Sequence, residues 1–138
     1  MRYLLDVNAL VAFALVEHTL HVSVAAWARS LGSPGSFEFA TCSITELGFV
    51  RILAQSPEYA LAVPGARELL ERVKASPVFR FFFIADDHDI SKLPAWVKTP
   101  AQTTDGHLLQ LARAHGAILT TLDRRIPAAF IIPQSRHS

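Results

Sequence analysis

The sequence predicts an α/β fold: a single domain with a mainly parallel five-stranded sheet flanked by helices. Two observations carry this prediction. Short apolar runs alternate with amphipathic stretches along the chain, which is the pattern of strand–helix–strand units. The chain also has 138 residues, 51% of them apolar and 18% charged. That is one domain's length, with enough apolar content for a core and too little charge for disorder.

The elements follow in order. Tyr3, Leu4 and Leu5 form a short apolar run that ends at Asp6 and reads as a buried strand. Asn8 opens a helical stretch over residues 9–16. A second helix over residues 20–31 puts Val24, Trp27, Ala28 and Leu31 at helical spacing. Residues 32–36, with two glycines and a proline, form a loop. Residues 37–41 alternate as a strand. Ser43–Gln55 is an amphipathic helix with Phe49, Val50 and Leu53 on one stripe, and Pro57 ends it. Pro64 suits a first helical position and opens a helix through Lys74. Phe81–Ile84 reads as a third strand in the core. Residues 88–100 contain Pro94 and Pro100 and form an irregular connection with at most a short helix. Residues 104–115 are helical, with Leu108, Leu111 and Ala112 turned inward and Gly116 as the stop. Residues 117–121 and 130–132 complete the strands, and residues 133–138 are expected to fray. With no repeat or linker, residues 1–138 read as one domain.

Composition excludes several classes. A net charge of +1 gives no chain-wide attraction to nucleic acid, so an RNA surface must be local. Cys42 is the only cysteine, which rules out an intramolecular disulfide, favours a reducing compartment and leaves Cys42 a packing role. Asp6 and Asn8 interrupt the apolar N-terminal run. Residues 9–16 fall far short of the roughly 20 needed to cross a bilayer. A cytoplasmic protein without a membrane anchor is expected.

Four acids stand in telling places. In open α/β sheets, ligands bind beyond the carboxyl ends of the strands. Asp6 follows the first strand directly, Asp123 follows the fourth, and Glu46 lies in the first turn of the helix after the second. Asp105 lies in the first turn of a helix that leads back into a parallel strand, so it belongs at the same end. Glu46 is in phase with Phe49, Val50 and Leu53, and Asp105 with Leu108, Leu109 and Ala112. Each acid alone is explained as a cap or turn residue, and Ser43 with Glu46 matches a capping box. Four together at one sheet end are not. Converging carboxylates repel, and a divalent cation removes that penalty. All-oxygen ligands suit Mg²⁺ or Mn²⁺, and the chemistry supported is metal-assisted phosphodiester hydrolysis.

On these residues the chain resembles the PIN-domain family over residues 2–132, and most specifically its VapC-like toxin branch. Asp6 with Asn8 two positions on, Glu46 at a helix start, Asp105 heading its helix, and Thr121 with Asp123 fill the family's places in order. The resemblance implies a metal-dependent endoribonuclease, the toxin of a toxin–antitoxin pair, that acts on RNA and often forms a homodimer. Asp6, Asp105 and Asp123 would hold Mg²⁺ or Mn²⁺, with Glu46 as ligand or water-orienting base. Asn8 and Thr121 would support the acids. The family's sheet order would set the first and fourth strands side by side. A cognate antitoxin protein would block the acidic site.

Arg124 and Arg125 are candidates to contact RNA phosphates, weighed equally against surface or antitoxin-contacting roles. Asp86, Asp87, His88 and Asp89 read as a polar loop, and no histidine pair has ligand spacing. Trp27 and Trp96 read as packing residues. A response-regulator receiver would need an acidic pair after the first strand and a late lysine, and a haloacid-dehalogenase-like phosphatase a second acid at position 8. Neither is present. The stronger alternative is a catalytically silent PIN-like module that binds a protein or RNA partner.

Overall fold

A computed structural model of the protein describes residues 1–134. It contains strands β1 (Arg2–Leu5), β2 (Glu38–Cys42), β3 (Phe81–Ile84), β4 (Ile118–Thr121) and β5 (Phe130–Ile131), and helices α1 (Val7–Ala14), α2 (His21–Ser30), α3 (Ser43–Gln55), α4 (Val63–Lys74) and α5 (Thr103–Ala114). The strands form one sheet in the order β3-β2-β1-β4-β5, and every pair is parallel. The first and fourth strands are neighbours, as expected. Residues 88–100 are irregular, with one 3-10 turn at Ile90–Lys92 and a second beginning at Pro100. Residues 135–138 of the expected frayed tail lie outside the described residues.

The boundaries shift where side chains cap. Helix α1 begins at Val7, before the expected Asn8, because Asp6 is its N-cap: Asp6 Oδ1 accepts from the Ala9 amide at 2.9 Å. The expected capping box of Ser43 and Glu46 does not form. Thr45 Oγ1 instead accepts from the Cys42 amide at 3.0 Å, which makes Cys42 rather than Ser43 the N-cap of α3 and leaves Glu46 free for other partners.

Two apolar layers clothe the sheet. On one face, α1 to α4 pack over Leu5, Phe39, Phe49 and Leu53. Phe39 is fully buried at the centre, with the rings of Phe13, Trp27, Phe37, Phe79 and Phe81 at 5.2 to 5.7 Å between centroids. On the other face, α5 packs Leu108, Leu109, Leu111 and Ala112 against Leu4, Ala40, Ile84 and Leu119. Trp27 is buried and Trp96 packs against this second layer, as read from the sequence.

The third strand departs from its reading as core. Phe81 and Ile84 turn inward, but Phe82 and Phe83 are 39% and 45% exposed. Strand β3 is the sheet's edge, so no further strand covers its outer side. Each exposed ring has a cation instead: the Arg2 guanidinium lies 3.8 Å from the Phe82 centroid and the Lys74 ammonium 5.4 Å from that of Phe83. Among the described residues no helix is long and apolar enough to cross a membrane.

Candidate active site

Parallel strands aim their carboxyl ends one way, and β1 and β4 deliver Asp6 and Thr121 as adjacent residues there. Asp6 is 6% exposed. Its Oδ1 takes the Ala9 amide and its Oδ2 accepts from the Thr121 hydroxyl at 2.5 Å. Thr121 Oγ1 in turn accepts from the Asp123 amide at 2.9 Å. One hydroxyl thus fixes the first acid and the turn that carries the last.

The three aspartates share one electrostatic field. Burial pushes the Asp6 carboxyl up to about 6, against the lowering by Thr121 and Ala9, with further upward contributions from Asp105 and Asp123. Asp105 is half-buried, and burial followed by the charge of Asp123 pushes its carboxyl up as well. Asp105 accepts no hydrogen bond among the described residues. Asp123 is held low by Arg125, whose Nε and Nη2 each lie 3.0 Å from one carboxylate oxygen, and by the Arg125 amide at 2.9 Å. Arg125 also feels Asp105, so it is a counter-charge to this group.

Glu46 has different company. Its Oε2 accepts from the Thr41 hydroxyl at 2.6 Å and from the Lys74 ammonium at 2.5 Å. Lys74, at the end of α4, was missed in the sequence because it lies 28 residues from Glu46 and belongs to no motif. Asn8 is exposed and makes no side-chain hydrogen bond among the described residues. Arg124 is exposed.

The polar loop after β3 does more than solvate. Asp86 pairs with His107 at 2.5 Å, and Asp87 with His88 at 2.9 Å and His115 at 3.5 Å. These pairs tie the loop to α5. The residues were visible in the sequence, but the pairing across 21 and 28 positions was not.

The donor chemistry fits a hard divalent cation: carboxylate oxygens, two of them pushed toward the protonated form by burial and by neighbouring carboxylates. Among the described residues no three acidic, imidazole or thiol side chains come together as a ready-made metal-holding group. Both oxygens of Asp123 face Arg125.

A group of acids at the carboxyl end of a parallel α/β sheet is one arrangement that supports metal-assisted hydrolysis of phosphodiesters. The chain belongs to the PIN-domain family, whose model matches residues 3–130. It is similar to ribonuclease VapC38 of Mycobacterium tuberculosis, 38% identical over 138 residues that cover 96% of this chain and 91% of the relative. It is also similar to ribonuclease VapC44 of Mycobacterium tuberculosis, 36% identical with 91% and 89% covered. Among solved structures, VapBC2 from Rickettsia felis, bound to a promoter DNA fragment, matches with a TM-score of 0.59 at 15% identity, covering 98% of this chain and 100% of that one. Mycobacterium tuberculosis VapC20, a toxin that cleaves the sarcin–ricin loop, matches with a TM-score of 0.57 at 12% identity, covering 96% and 99%. These structural matches establish the shared fold.

Proposed function

We propose that the protein is a metal-dependent endoribonuclease, the toxin of a toxin–antitoxin pair, which hydrolyses RNA phosphodiester bonds with Mg²⁺ or Mn²⁺. The observation that carries this reading is the coupled group Asp6, Asp105 and Asp123 at the carboxyl ends of β1 and β4, in a chain 38% identical to a VapC ribonuclease.

Asp6, Asp105 and Asp123 would hold the ion. When bound, it lowers the pKa of the attacking water and neutralises charge at the scissile phosphate. Thr121 keeps the Asp6 carboxylate oriented and fixes the Asp123 turn. Glu46 is steadied through Oε2, which leaves Oε1 to orient a water and take its proton. Binding at Asp123 requires Arg125 to give up its fork. That frees a guanidinium beside the site for an RNA phosphate, and the exposed Arg124 is a second candidate.

The partners in this reading are an RNA substrate and an antitoxin protein that covers the acidic end of the sheet in a cytoplasmic complex. The chain would pair as a homodimer, which light scattering of the purified protein checks.

The test is cleavage of structured RNAs by the purified protein with Mg²⁺ or Mn²⁺, beside Asp105→Asn prepared identically. The expected outcome is cleavage by the parent, stopped by EDTA and absent in the variant. Equal cleavage by both would mean a contaminant. No cleavage and no metal binding by either would transfer the reading to a silent partner-binding module.

A further inference from the structure

The sheet's edge carries an exposed aromatic ring next to the acidic end. Phe83 pairs with Thr41 across β2 and β3, and Thr41 is the residue that holds Glu46. Phe83 lies one row before the Asp6–Thr121 row and two strands from β1. At about 4.8 Å per strand this is roughly 10 Å, within reach of a nucleotide next to the scissile phosphate. Phe83 is 45% exposed although it sits on the sheet face shared with Phe39 and Phe81. Lys74 bridges the ring and Glu46, 5.4 Å from the Phe83 centroid and 2.5 Å from Glu46. An ammonium has three donors, and Glu46 takes one. The rest are available to a phosphate.

We propose that Phe83 and Lys74 form a nucleotide subsite for single-stranded RNA, in which a base flanking the cleaved bond stacks on Phe83 and its phosphate lies against Lys74. This rests on the ribonuclease reading and adds to it a place for the neighbouring base. An exposed ring beside a cation is the combination that holds single strands irrespective of sequence: every base offers a π-face, and the backbone supplies the negative charge. The opposite face of β3 does not compete for this role. The Phe82 ring is covered more closely, with the Arg2 guanidinium 3.8 Å from its centroid against 5.4 Å for Lys74 at Phe83, and that guanidinium is held by both Glu38 at 2.6 Å and the His115 carbonyl at 3.1 Å.

The test is an abasic scan. A short single-stranded RNA that the parent cleaves is made as a series, each member lacking one base. Binding of each to the full chain is followed by fluorescence anisotropy in EDTA, so that no metal-dependent turnover enters. The parent should lose about tenfold in affinity, within the range of a stacked base, when one base beside the cleavage site is removed. Phe83→Leu, which keeps an apolar side chain, should bind the intact RNA about tenfold more weakly and be indifferent to that same abasic position. Phe83→Trp should retain the parent's pattern. Lys74→Gln should flatten the dependence of log affinity on log salt by about 0.7, the value for one phosphate on a single strand. Equal abasic profiles for the parent and Phe83→Leu would overturn the stacking role, and an unchanged salt slope would overturn the phosphate role. Failure of the ribonuclease reading shows separately, as absence of metal-dependent cleavage by the parent.

Discussion

At the residue scale the informative group is Asp6, which serves as helix cap, partner of Thr121 and candidate ligand together. Capping and hydrogen bonding favour its charged form, yet burial outweighs them and raises the carboxyl from the ordinary 3.8 to about 6. Between those two values the folded chain holds a proton that the unfolded chain has lost. Stability from this group therefore falls as pH rises through that window and is constant above it. The size is about 3 kcal/mol for so buried a group. Asp6→Asn keeps a capping side chain and loses the titration. Urea unfolding in EDTA from pH 4 to 7 should show the parent falling relative to Asp6→Asn by on the order of 3 kcal/mol. A constant difference between the two would refute this account. Arg125 works in the other direction: it places a cation against Asp123, one of the two acids whose charge adds to the repulsion around Asp6.

At the scale of elements, the site depends on α1 and α3 lying close, since α1 starts beside Asp6 and α3 carries Glu46. Gly48 on α3 permits that approach. A Cβ built there would fall 2.5 Å from Val7 Cγ2 and 3.3 Å from Val7 Cγ1. Valine is stiff at χ1 in a helix, so the methyl cannot swing away. Gly48→Ala gains helix propensity of about 1 kcal/mol but incurs overpacking of about 1–3 kcal/mol. The expected outcome is a net loss of stability of about 1 kcal/mol and a larger proportional loss of nuclease activity, because the helices that part carry the acids. Thermal melts and cleavage rates on the same preparation check this, and a variant as stable and active as the parent would show that the helices have room.

At the scale of the whole molecule, the two apolar layers hold a sheet whose carboxyl end concentrates like charge. A ligand that binds only the folded chain stabilises it by mass action. Mg²⁺ or Mn²⁺ at about a hundred times its Kd should add about 2.7 kcal/mol, a rise in Tm of several degrees for a chain of this length. Asp105→Asn should lose most of that rise while melting at a similar or higher temperature in EDTA, since it removes one of the repelling charges. A metal-induced rise of equal size in both would place the ion elsewhere.

Much of this was legible in the sequence because it is local or periodic. The period-two and period-3.6 patterns determined the strands, the helices and their inward faces, and the rule that parallel strands end together placed Asp6, Glu46, Asp105 and Asp123 at one end of the sheet. Only the tertiary structure decided what each acid touches there. The Thr121 hydroxyl reaches Asp6 across 115 positions and Lys74 reaches Glu46 across 28, and no periodicity records a contact between elements that pack side by side. The same limit explains β3: an apolar run specifies a strand, but not whether another element lies beyond it. Phe82 and Phe83 were read as core, and the sheet order made them an edge. It also explains Asn8 and Ser43. Capping is decided by which of several adjacent side chains reaches a free amide first, and that depends on backbone angles fixed only when the helix docks against the sheet.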